Sequence, residues 1–179
     1  MDRRIINSEE KLKRSFMNLM QNNDPAKITV KRLCMEAGLN RSTFYDRFGY
    51  LDKLIECIIE DCMHAVCEAV DYVGASDFEE GVSKKDIRLY MDRFLSDKVL
   101  TQFSKSQQKE KYFYYIIEVQ SRISMKSMPE AIDYYSAFFQ NTGVVALLLE
   151  WLNNGRDASE EQIIEIIHRF SKSMQHMQN

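Results

Sequence analysis

Residues 29–48 read TVKRLCMEAGLNRSTFYDRF, and their caps and apolar spacing describe two short helices joined by a tight turn. Thr29 is a good N-cap, and Ile28 and Leu33, just before it and four positions into the helix, are placed to close as a hydrophobic staple. A helix therefore starts at Val30. Val30, Leu33 and Ala37 share one face, and Gly38 supplies the left-handed residue that ends the helix without a Cβ penalty. Asn40 is the expected cap of the second helix, Leu39 and Phe44 repeat the staple, and Phe44 and Phe48, four apart, form its buried side. Arg41, Ser42, Thr43, Tyr45 and Arg47 are left for the outside.

A second helix with an aromatic inner face and an exposed Arg-Ser-Thr first turn, set behind a glycine turn, has the form of a helix-turn-helix reader that enters the major groove N-terminus first. Arginine bonds O6 and N7 of guanine in a bidentate way, serine and threonine hydroxyls serve base edges or phosphates, and the threonine methyl touches a thymine methyl. The competing reading, a helical hairpin whose glycine only turns the chain, accounts for the glycine and the staples but not for this outer face.

The stretch resembles the tetracycline-repressor (TetR) family of bacterial transcription regulators. The family's usual pattern is T-V-x-x-I-A-x-x-A-G-V-S-x-G-T-L-Y-x-H-F, and Thr29, Val30, Leu33, Ala37, Gly38, Leu39, Thr43, Phe44, Tyr45 and Phe48 fit it. Cys34 stands where the family has alanine, Asn40 and Ser42 replace the common Ser and Gly, and Arg47 replaces His or Tyr. The family's phosphate-binding lysine, three residues after the last Phe, is Leu51 here; Lys53 is the nearest substitute, roughly 200° further round the helix. Arg41, Ser42 and Thr43 are thus expected to face bases of double-stranded DNA, with Thr29, Tyr45, Arg47 and Lys53 on phosphates.

Charge divides along the chain in the same sense. Residues 1–53 carry 11 Lys or Arg against 7 Asp or Glu, a net of +4, whereas residues 54–179 carry 13 against 20, a net of −7. A basic head on an acidic body suits a DNA-binding module joined to a regulatory one. Cys34, Cys57, Cys62 and Cys67 form no Cys-x-x-Cys pair, and no histidine stands at metal-ligand spacing, so no metal or cofactor is expected and the thiols read as reduced core or boundary residues. Residues 1–14 are charged and carry no apolar run of the signal-peptide kind. No apolar cluster reaches the ~20 residues that cross a bilayer, and the expectation is a cytoplasmic protein without a membrane partner.

Upstream of the quoted stretch, residues 2–7 form a short basic arm, solvated or touching phosphates, and Ser8 caps a helix whose stripe is Leu12, Phe16, Leu19 and Met20. Asn22-Asn23-Asp24-Pro25 breaks the chain. Downstream, an apolar repeat over 51–73 predicts a long connecting helix, which by the resemblance carries movement between head and body, and 74–81 reads as a loop. Ser83 caps a helix with Ile87, Tyr90, Met91, Phe94 and Leu95 on its apolar side, and a polar run at 104–109 breaks the chain again. Tyr112 to Ile117 suits a buried strand or a helix, and without a partner strand elsewhere it reads as helix to about residue 124. After a linker at 125–129, the segment 130–154 is apolar nearly all round and must be covered on several sides. Gly155 stops it, Ser159 with Gln162 makes a capping box, and Ile163, Ile166, Ile167, Phe170 and Met174 form the stripe of a last helix.

The fold class expected is all-α: a three-helix helix-turn-helix head at 1–50 and a larger helical effector-binding and dimerisation domain at 51–179. The apolar helix, the Trp-x-x-Asn-Gly turn and the final amphipathic helix also resemble the C-terminal end of TetR-like regulators, which implies that these two helices pair across a twofold axis in a homodimer on a palindromic operator. No phosphate-binding glycine loop, nucleophile elbow or His-Glu-x-x-His pair occurs, and His64, His168 and His176 are isolated, so no enzyme is expected. The function expected is a transcriptional repressor relieved by a small hydrophobic effector held between the long helix and Phe94, Phe103, Tyr112, Tyr115 and Phe138. These aromatics suit a closed core equally well. The same head on a body controlled by a partner protein, and an all-helical enzyme or interaction module that never meets DNA, are the competing readings.

Overall fold

The computed structural model describes residues 3–68, 82–125 and 131–175. Among them the elements are α1 (Arg3–Met20), a 3₁₀ turn (Pro25–Lys27), α2 (Val30–Ala37), α3 (Arg41–Phe48), α4 (Leu51–Glu68), α5 (Lys84–Ser96), α6 (Lys98–Ser104), α7 (Lys109–Met125), α8 (Ala131–Asn153) and α9 (Glu160–Gln175). The all-α class holds, and the tyrosine-rich run at 112–117 is helical. No described helix is long and apolar enough to cross a membrane. The expected continuation of α4 to residue 73, the loop at 74–81 and the linker with Pro129 lie outside the described residues.

Two expectations about helix starts are corrected. Helix α1 begins at Arg3 rather than after Ser8, which is buried inside it. Residues 3–7 contain neither glycine nor proline, and serine in a helix interior loses only a few tenths of a kcal/mol against alanine, so nothing stops the helix growing back from its packed stripe. The run beyond Ser83 is not one helix but two. Asp97 accepts from the backbone N–H of Val99 (2.8 Å) and Leu100 (2.9 Å), and this competition with the helical ladder ends α5 and caps α6.

Leu12, Phe16, Leu19 and Met20 of α1 are buried with Ile28, Leu33, Phe44 and Phe48, closing the helices that precede α4 around one core. Helix α4 extends that core with Leu54, Ile55, Ile58, Ile59 and Met63, against which α7 packs; α7 in turn lies along α8, and α9 along α5. The α8–α9 turn is set by Gly155 (φ 75°) and Arg156 (φ 61°), and the Trp151 indole N–H donates to the Ala158 carbonyl (2.9 Å). The capping box is reciprocal: Ser159 N–H donates to Gln162 Oε1 (2.8 Å) and Gln162 N–H to Ser159 Oγ (3.3 Å).

Helices α8 and α9 are covered on one side only. Val145, Leu148, Leu149 and Trp151 are buried, yet Phe139 is 68% exposed, and Gly143 and Ala146 share its open face. On α9, Ile163, Ile164 and Ile167 are buried while Phe170 is 69% exposed. Ile164 was not read as part of the stripe; it is buried because α5 adds a second wall beside α9. That wall is tied by ion pairs Lys84–Glu165 (2.6 Å) and Arg88–Glu161 (2.9 Å).

Candidate functional site

The α2–α3 pair is built by its caps and its inner face. Thr29 Oγ1 accepts from Arg32 N–H (3.3 Å), which starts α2. Gly38 ends it at φ 62°, ψ 37°, with the N–H of Leu39 bonded to the Cys34 carbonyl (3.0 Å). Beyond this turn Phe44 is fully buried and Phe48 nearly so, their ring centroids 5.9 Å apart, and they fix how far α3 rotates. Arg41, Ser42, Tyr45 and Arg47 are exposed as a result and Thr43 is half-buried. Asn40 occupies the cap position but makes no side-chain cap hydrogen bond; the α3 entry is held by the packed Leu39 and Phe44 and by the extended backbone of Asn40.

Two features of this surface were not read from the sequence. Asp46 is exposed one turn after Ser42, in the middle of the outer face, where a carboxylate can accept from a cytosine amino group while repelling phosphate. Lys53, expected on phosphate, is paired with Glu56 (3.2 Å), a hydrogen bond that raises its pKa. Its charge is partly spent inside α4.

The residues expected to hold an effector are placed mostly in closed packing. Phe94, Phe103 and Tyr112 are at most 1% exposed, and the Phe103 and Tyr112 rings meet at 4.7 Å, leaving no void between them. Tyr115 is half-buried with the Lys111 ammonium 5.8 Å from its ring centre, and Phe138 is at the surface. None of the five borders the mainly apolar cavity among the later helices. That cavity, of about 350 Å³, lies between α5, α7, α8 and α9, walled by Ile87, Phe139, Val144, Leu147, Ile167 and Phe170. Tyr90 and Gln120 also line it, the Tyr90 hydroxyl donating to Gln120 Oε1 (2.6 Å). Sequence periodicity could not find it, because a cavity depends on which helix faces meet.

A third cluster joins the N-terminal helices to the rest. Asp24, in the break before the 3₁₀ turn, accepts from Ala26 N–H (2.9 Å) on one oxygen and from the Gln107 N–H (2.9 Å) on the other, and the Ser106 hydroxyl also donates to it (2.5 Å). Burial pushes its carboxyl up, but the bonds from Ser106, Gln107 and Ala26 outweigh this and hold it below the usual carboxylate range. Tyr112, pushed up to about 12 chiefly by burial, adjoins Ser106 beneath this junction. Lys13–Asp61 (2.6 Å) and Lys111–Asp52 (2.5 Å) tie α4 to α1 and α7.

Comparison with known proteins agrees with this architecture. Residues 91–173 match the TetR-type family model described as transcriptional regulator C-terminal region. The uncharacterized HTH-type transcriptional regulator YxbF of Bacillus subtilis (strain 168) is 24% identical over 86 residues, 48% of this chain but only 22% of that protein's length. The crystal structure of RolR in complex with its ligand resorcinol superposes with a TM-score of 0.64 at 14% identity, covering 98% of this chain and 94% of the other, which establishes a shared fold. With the helix-turn-helix at 29–48 and the match over 91–173, the chain is similar to TetR-type transcriptional regulators.

Proposed function

We propose that this regulator binds a palindromic duplex operator as a homodimer and represses transcription until an effector bound in the region 51–179 changes the spacing of its two heads. The observation that carries the reading is the outer face of α3, where buried Phe44 and Phe48 force Arg41, Ser42, Tyr45 and Arg47 outward together. Arg41, Ser42 and Thr43 then read bases, and Thr29, Tyr45 and Arg47 hold phosphates, with Lys53 a weaker contributor because of Glu56. The dimer is supported by the uncovered apolar faces of α8 and α9, which carry Phe139, Ala146, Ile166 and Phe170. Half-sites should lie about one helical turn, ~34–36 Å, or a multiple of it apart. The cavity beside Gln120 favours a small ligand over a partner protein as the controlling input.

The test is a map of protected bases across a bacterial genome with the purified protein, repeated with candidate hydrophobic compounds. Palindromic protected sites that are lost with one compound class are the expected result. Protection without sequence preference would refute the reading of α3, and sites insensitive to every compound but released by a cellular protein would favour partner control. A true effector must also lower operator affinity by the factor by which operator lowers its own.

A further inference from the structure

Helix α3 carries a negative charge at its most outward point. Phe44 and Phe48 are buried and set its inner seam, and at about 100° per residue Asp46 stands roughly 180° from that seam, with Ser42 one turn before it on the same ridge. Tyr45 falls about 100° to one side of Asp46 and Arg47 about 100° to the other. Asp46 is exposed, and the ion pairs among the described residues leave its carboxylate unpaired. We propose that Asp46 is a base-specificity residue, its carboxylate accepting a hydrogen bond from the amino group of a cytosine on the floor of the major groove. This rests on the DNA-binding reading above and adds to it the one side chain of that face that phosphate repels.

The place of the charge on the helix gives the reason. A helix with its side chains is about 10–12 Å across and the major groove about 12 Å wide, so the flanks of an inserted helix meet the phosphate walls and the ridge opposite its seam meets base edges. Tyr45 and Arg47, on the flanks, are of the kinds that hold phosphates, where a carboxylate would be repelled. On the ridge, the repulsion between Asp46 and the two backbones is offset only where a donor faces it. An ionised carboxylate accepts and cannot donate, and the donors on the major-groove edge are the amino groups of cytosine and adenine. Cytosine shows its amine without a neighbouring acceptor, whereas adenine sets N7 beside it, against the second carboxylate oxygen. Guanine and thymine present acceptors, which Asp46 rejects. Asp46 therefore contributes discrimination, at a cost in affinity for DNA at large.

The full chain, as wild type, Asp46→Ala and Asp46→Asn, can be used to select duplexes from a randomised library, with affinities for the selected site and for random-sequence duplex read by fluorescence anisotropy. Wild type is expected to select one fixed C·G pair in each half-site. Asp46→Ala should leave that position free, and Asp46→Asn should change it to A·T, since asparagine bonds adenine N6 and N7. On the wild-type site Asp46→Ala should bind about tenfold more weakly, the size of one discriminating base contact, yet bind random duplex more tightly because a repelling charge is gone. A substitution that merely disturbed the fold would weaken both. Replacing the selected cytosine by pyrimidin-2-one, which lacks the 4-amino group, should weaken wild type about tenfold and Asp46→Ala hardly at all. Equal losses in the two would mean that the carboxylate only orients a neighbouring arginine, and would overturn the proposal. An unchanged consensus for Asp46→Ala also overturns it and leaves the regulator reading intact, whereas a wild type that selects no sequence overturns that reading and this inference together.

Discussion

Replacing Asp24 by alanine tests whether one carboxylate joins the N-terminal helices to the rest of the chain. The side chain accepts three hydrogen bonds, from Ala26 N–H within its own turn and from the Ser106 hydroxyl and Gln107 N–H, 82 and 83 residues away. A bond to a charged group contributes about 1.5–3 kcal/mol and a local cap about 1 kcal/mol; because Asp24 is only half-buried, we take the low end and expect a loss of about 2–3 kcal/mol. For a chain of this length each kcal/mol moves Tm by roughly 2–4 °C, so Tm should fall by about 5–10 °C in thermal denaturation followed by circular dichroism. The folded carboxyl is held below its ordinary value, so its stabilisation is present above the unfolded pKa of about 3.9 and is lost as pH falls through the folded value. Wild type and Asp24→Ala should thus begin to converge in stability below about pH 4 and meet only below the folded value. A double-mutant cycle with Ser106→Ala should show coupling of at least about 0.5 kcal/mol. A Tm change under about 1 °C at neutral pH, or strict additivity with Ser106→Ala, would refute the junction.

Arg41→Ala should weaken the cognate operator by about 1–3 kcal/mol and relax one base position, whereas Arg47→Ala should weaken all sequences alike and flatten the salt dependence, both read by fluorescence anisotropy. Ala146→Glu places a charge on the open face of α8 and should give a folded monomer in sedimentation at micromolar concentration with the melting of a single chain preserved; an intact dimer would remove α8 from the interface. Ser159→Ala removes one half of the capping box and should cost about 1 kcal/mol, or roughly 2–4 °C in Tm. Burial raises the Cys67 thiol to about 11, and burial together with Asp97 pushes Cys62 higher still, so neither should react with a thiol reagent at pH 7; rapid modification of the folded protein would reopen a redox role.

The helix-turn-helix and the helical class were legible in residues because their causes are local. A Thr cap, a left-handed glycine and two phenylalanines four apart act within about two helical turns, and they place Arg41 and Ser42 outside without help from distant chain. The Ser159–Gln162 box and the helical character of 112–117 follow for the same reason, since periodicity and capping operate over a few positions. The role of Asp24 did not, because its partners Ser106 and Gln107 are brought to it by the packing of α6 and α7, and in sequence it is only a turn residue. Nor did the cavity: Phe94, Phe103 and Tyr112 have the composition of a ligand pocket but are buried in closed packing, the Phe103 and Tyr112 rings against each other, while the space beside Tyr90 and Gln120 lies among α5, α7, α8 and α9. Whether an aromatic side chain fills a core or borders a void depends on which helix faces meet, and that is a property of tertiary packing rather than of any local stretch.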